Sequence, residues 1–152
     1  MAEDVSARRT LHFGQALLAD GWASDVRITV SDGLVGAIAP GEAPQPLDER
    51  HAIGLPGMCN VHSHAFQRGM AGLTESRGAS NDSFWSWRDL MYRFVDRMTP
   101  EQLLAIAAFA YAEMLETGFT RVGEFHYLHH DAAGLPYSDP ALLSQCIVAA
   151  AA

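Results

Sequence analysis

The stretch LPGMCNVHSHAF, residues 55–66, sets two histidines one residue apart just after a Pro-Gly turn. Side chains alternate faces along a strand, so this reading puts Asn60, His62 and His64 on one side and Cys59, Val61 and Ser63 on the other. Two imidazoles side by side are a sound beginning for a zinc site, because Zn2+ accepts histidine nitrogen readily and a catalytic ion keeps one position open for water. Two ligands do not make a tight site; at least one more must come from elsewhere. H-x-H is also a common chance pairing, so the surrounding sequence has to decide.

Downstream, residues 65–98 form a long irregular stretch with a helical tail, and a well-marked helix follows. Thr99 is a good N-cap, Pro100 suits the first helical position and Gln102 completes a T-x-x-Q capping box. Leu103, Ile106, Ala107, Ala110 and Met114 recur at three- and four-residue steps, which gives one apolar face. Gly118 stands where a helix end wants a left-handed residue, and FTRVGEF, residues 119–125, reads as the next strand. Strand, long loop, helix, strand is one β/α unit. Such units build parallel sheets, either a barrel or an open doubly wound sheet.

Upstream, residues 10–54 read as short strands of a small β unit. Asp-Gly pairs at 20–21 and 32–33 mark hairpin reversals. In DVRITV, residues 25–30, Val26, Ile28 and Val30 alternate with Arg27 and Thr29, as in a strand with one wet face. PGEAPQPLDER, residues 40–50, reads as a proline-rich surface loop. The expected division is 1–54 for the β unit and 55–152 for the β/α part.

Composition narrows the function classes. The net charge is −8 and all ten basic residues are arginine, a balance that argues against a nucleic-acid-binding surface. It leaves room for an anionic substrate, since one or two buried arginines can hold a carboxylate whatever the net charge. Residues 1–13 lack the apolar core of a signal peptide, no run of about 18 apolar residues offers a membrane span, and Cys59 and Cys146 make no disulfide framework. A cytoplasmic protein is the expectation. The alanine-rich end LLSQCIVAAAA, residues 142–152, has no capping signal and is expected to be a helix cut in mid-course, the chain being an N-terminal portion.

LPGMCNVHSHAFQRGMAG (55–72), DSFWSWRDLMYRF (82–94) and GFTRVGEFHYLHHD (118–131) together resemble the amidohydrolase superfamily, and within it the N-formimino-L-glutamate deiminases. H-x-H carries only the broader likeness; the F-W-S-W-R and E-F-H-Y-L-H-H stretches carry the narrower one. The resemblance implies an α/β fold, an incomplete amidohydrolase-type (β/α)8 barrel preceded by strands of a small β-sandwich-like domain. It implies one zinc, with His62 and His64 as the first ligands and the remaining ligands and the acid/base groups beyond Ala152. The implied reaction hydrolyses N-formimino-L-glutamate, a dicarboxylate amidine, to N-formyl-L-glutamate and ammonia, in a protein that is a homodimer at full length.

The resemblance also gives Arg88 the task of clamping a substrate carboxylate, with Gln67 and Tyr127 donating further hydrogen bonds. Planar guanidinium binds carboxylate through two parallel hydrogen bonds, which lysine cannot reproduce. Plainer roles stand beside these. Arg88 alone reads as a surface ion-pair residue, Tyr127 as a core tyrosine, and Trp85 and Trp87 as packing anchors or dimer contacts. Cys59 reads as core packing. His126, His129 and His130 read as solvated or backbone-bonded, and Glu124 as a structural partner for an arginine. Two other functions stay open: an amidohydrolase deaminating a cyclic amidine such as guanine, and a non-catalytic fragment.

Overall fold

The structure, a computed structural model, describes residues 8–74 and 83–152. Part of the irregular stretch after the histidines, residues 75–82, lies outside the described residues, as do residues 1–7. The chain divides between Pro56 and Gly57 into two compact units, two residues beyond the expected boundary.

The first unit is a four-stranded sheet. Its strands β1 (Arg9–Leu18), β2 (Gly21–Ser31), β3 (Leu34–Ala39) and β4 (Glu49–Gly54) lie in the order β3-β2-β1-β4. Both Asp-Gly reversals are hairpins: Leu18 faces Gly21, and Ser31 faces Leu34. In the second, Asp32 and Gly33 take φ of 51° and 73°, the left-handed pair that a two-residue loop matching strand twist requires. The strands are longer than expected, and β4 joins β1 in parallel. Val26 and Ala16 are buried, as the alternation on β2 implies for Val26.

The proline-rich loop is anchored by charge. Arg27 Nε and Nη2 donate to Asp48 Oδ2 and Oδ1 at 2.8 and 2.9 Å, and the Gln45 N–H donates to Oδ2 at 2.8 Å. The Arg27 fork and the Gln45 amide hold the Asp48 carboxyl down at about 2. A depressed folded-state pKa stabilises the fold fully above the unfolded carboxyl's range near 3.8, and the contribution drains as pH falls toward 2. Asp48→Asn should therefore lower the thermal midpoint at pH 7 and flatten its decline between about pH 4 and pH 2. A midpoint-against-pH series on both proteins checks this; an unchanged slope would contradict it.

The second unit is built from β5 (Met58–Ser63), α1 (Phe84–Val95), α2 (Pro100–Glu116), β6 (Phe119–Glu124) and α3 (Leu142–Ala150), with a 3-10 helix over Ala65–Met70. β5 and β6 pair in parallel, joined through α2, which makes the expected β/α/β unit. The reciprocal Thr99–Gln102 capping box is present, and Gly118 has φ 91°. Leu103 and Ala107 are wholly buried, with Ala110 and Tyr111 beside them, and α3 packs on α2 through Leu143 and Ile147.

Gly57 opens β5 so close to β6 that an added Cβ would lie 2.8 Å from Thr120 Cβ and against both branches of that side chain. A threonine branched at Cβ cannot swing clear. Gly57→Ala is expected to cost about 1–3 kcal/mol by overpacking, read as a lower denaturation midpoint.

Two expectations need correcting in this unit. The helical tail of the irregular stretch begins early enough to include Arg88, which lies in α1, because Ser83 and Ser86 cap one another and start the helix at Phe84. Cys59 is exposed and Val61 is 85% exposed, for no described element covers their side of β5.

Candidate metal centre

Strict alternation would carry Asn60 along with the histidines. Instead the β5–β6 register shifts between Asn60 and Ser63. The Asn60 side chain accepts the His62 N–H at 3.0 Å, a local bond that competes with the ladder, and its amide donates to Met114 Sδ of α2 at 3.5 Å. Ser63 is buried, His62 is exposed and His64 half-buried. An irregularity of this kind re-aims the side chains beyond it. The two imidazoles end edge to face, with centroids 4.9 Å apart.

His64 is the better fixed of the two. Its Nδ1 lies 2.9 Å from the Phe125 carbonyl oxygen, which can only accept, so Nδ1 carries a proton, and in the neutral imidazole Nε2 is the atom left with a lone pair. A histidine that ligates metal through one nitrogen typically donates the other to such a carbonyl or carboxylate. The donor set therefore fits two positions of a divalent-metal site. Among the described residues no group of three or more His, Cys, Asp or Glu side chains could enclose an ion.

Gln67 and Tyr127 come together beside this pair. Gln67, in the 3-10 helix, donates from Nε2 to the Tyr127 hydroxyl at 3.1 Å, and the Tyr127 ring stands edge-on to His64 at 5.2 Å. The Tyr127 hydroxyl also approaches Met91 Sδ of α1 at 3.7 Å. Arg88, one turn before Met91, shares that helical face but makes no contact with the cluster. Its guanidinium lies over the Tyr92 and Trp85 rings, at 4.8 and 5.7 Å, and donates to the Tyr92 hydroxyl at 3.3 Å. Trp85 is largely exposed, whereas Trp87 packs against the core.

The other histidines stay outside the pair. His126 Nε2 donates to the Leu128 carbonyl at 2.7 Å and its ring stands edge-on to His129; burial holds its pKa below the ordinary value. Among the described residues Glu124 forms no ion pair with an arginine. Its Oε1 accepts the Ala65 N–H at 2.7 Å, while Oε2 is buried near the Tyr111 hydroxyl. Burial, then the Glu124 carboxylate, push the Tyr111 pKa up. No sequence spacing signals the Glu124–Ala65 bond, which joins residues 59 apart. A cavity of about 620 Å3 lies elsewhere, lined by Gly69, Phe94, Arg97 and Ile106 among others, and neither His62 nor His64 borders it.

Known proteins resemble this chain in sequence and fold. A crystal structure described as an amidohydrolase from Brucella melitensis matches with TM-score 0.86 and 55% identity, over 94% of this chain and 32% of that one. A variant of atrazine chlorohydrolase TrzN from Arthrobacter aurescens TC1, complexed with zinc and atraton, shares the fold at TM-score 0.65 and 16% identity, over 93% of this chain and 32% of that one. The class is that of the amidohydrolases. Residues 8–52 match the family described as "Formimidoylglutamate deiminase HutF, N-terminal domain". Formimidoylglutamate deiminase of Pseudomonas aeruginosa is 53% identical over 138 residues, 90% of this chain and 30% of that protein. The chain resembles the formimidoylglutamate deiminases over nearly its whole length, and it spans about a third of the length of the relatives it matches.

Proposed function

We propose that the complete protein hydrolyses N-formimino-L-glutamate to N-formyl-L-glutamate and ammonia, a step in histidine degradation, with zinc as its metal. The observation that carries the chemistry is the His62–His64 pair, with the Nδ1–H of His64 committed to the Phe125 carbonyl and Nε2 left for a ligand. The substrate assignment rests on the 53% identity to the P. aeruginosa deiminase. A divalent metal held by His62 and His64 would supply a water of lowered pKa and a Lewis acid that polarises the C=N bond. Its further ligands and the acid/base groups belong to the part of the protein that the relatives have beyond this chain. In this reading the second unit begins a (β/α)8 barrel and the four-stranded sheet forms part of a β-sandwich-like domain. The complete protein is a cytoplasmic homodimer with no nucleic-acid partner.

Within this chain, Gln67 and Tyr127 orient the substrate beside the metal. Each keeps hydrogen-bonding capacity beyond their mutual bond: Gln67 a second amide hydrogen and a carbonyl, Tyr127 a second lone pair and a proton held only by the weak acceptor Met91 Sδ. Arg88 holds a substrate carboxylate. The placement of α1 supports this reading, since Met91, one turn on from Arg88 along the same face, lies against the Tyr127 hydroxyl. Arg88→Met in the complete enzyme is expected to lower kcat/KM for N-formimino-L-glutamate by well over tenfold, since hydrogen bonds to charged groups contribute about 1.5–3 kcal/mol each. Unchanged kinetics would remove Arg88 from the site.

A further inference from the structure

The 3-10 helix after β5 has an unusual start. His64 occupies its capping position, yet the His64 side chain makes no capping hydrogen bond. The first backbone N–H groups of a helix have no partner within it and must find one outside. The Ala65 N–H finds Glu124 Oε1 at 2.7 Å, a charge-assisted bond from the end of the neighbouring strand. Two more bonds close the same junction: the Phe125 N–H donates to the Ser63 carbonyl at 2.9 Å, and His64 Nδ1 donates to the Phe125 carbonyl at 2.9 Å. Residues 63 and 64 are thus tied to residue 125 and residue 65 to residue 124, and no hydrogen bond among the described residues engages His64 Nε2.

We propose that Glu124 is a positioning residue for His64: by accepting the Ala65 N–H it fixes the backbone where His64 leaves the strand, and so aims the ring at the metal. The inference rests on the metal reading of His62 and His64. It is a role in geometry, not in charge. Glutamine reaches the same N–H with its amide oxygen, whereas aspartate keeps the charge but falls one methylene short.

The experiment uses the complete zinc-loaded protein and measures zinc retention by competition with a chromophoric chelator, with thermal unfolding of each apo protein as the control for folding. Glu124→Asp is expected to weaken retention about 10–100-fold, the usual cost of losing a partner that orients a ligand, and Glu124→Gln to stay within about threefold of the parent. A folded Glu124→Asp protein with parental retention, or Glu124→Gln falling as far as Glu124→Asp, would overturn the proposal. Should Glu124→Asp fail to fold, Glu124→Gln decides: parental retention supports the hydrogen-bond role, and a loss of tenfold or more overturns it. His62→Ala and His64→Ala run in parallel. If they hold zinc like the parent, the metal reading itself fails; if they lose it while Glu124→Asp does not, only the role of Glu124 fails.

Discussion

Replacing His64 by alanine in the complete protein is expected to abolish both zinc retention and ammonia release, and His62→Ala to do the same. Each substitution removes a proposed ligand outright. The loss of metal affinity should therefore exceed the roughly 10–100-fold that follows loss of a partner in the outer shell. Activity should fall on the order of 10³ or more, because a metal contributes several kcal/mol of transition-state stabilisation and each 1.36 kcal/mol is a factor of ten. The two variants should differ in one respect. His64→Ala also frees the Phe125 carbonyl and removes an edge contact to Tyr127, so it should lower the thermal midpoint more than His62→Ala, whose ring is exposed. Metal analysis and unfolding curves on both proteins check this. Equal metal content in parent and variants would dismiss the pair as ligands.

Phe66→Ala should produce the largest loss of stability. The Phe66 side chain is 1% exposed and stands edge-on to Tyr127 at 5.3 Å, so it supports the ring that touches His64 and accepts from Gln67. Deleting a buried phenylalanine typically costs about 3–5 kcal/mol through lost transfer energy and the cavity left behind. Set against the about 5–15 kcal/mol that holds most domains together, this is a large share. Denaturant unfolding should show the loss as a lower midpoint. The same variant should raise KM, since Tyr127 and Gln67 lose the wall that orients them. A loss below about 1 kcal/mol would mean that Phe66 is not the prop described.

Much of the fold was legible where one residue type meets a strict local demand. Asp-Gly at 32–33 marks a hairpin because two successive left-handed residues are needed there. The Thr99–Gln102 box and Gly118 bracket α2 for equally local reasons. The start of α1 was harder to see: its box is Ser83–Ser86, and serine is a weaker signature at the third helical position than glutamate or glutamine.

For the candidate site, proximity was more legible than geometry. His62 and His64 do come together, as do Gln67 and Tyr127. The phase shift across Asn60–Ser63 could not be read from alternation, because it depends on a side chain that bonds the backbone two residues on. Glu124 shows a different limit: the N–H it holds belongs to the backbone of Ala65, at the start of the 3-10 helix, and backbone groups carry no sequence signature.

The measurement that bears most directly on the central claim is product analysis of the complete, zinc-replete protein given N-formimino-L-glutamate. The account predicts ammonia and N-formyl-L-glutamate in equal amounts, with turnover lost on chelation and restored by metal. No turnover by the metal-loaded protein, or release of formamide and glutamate in place of those products, would contradict it.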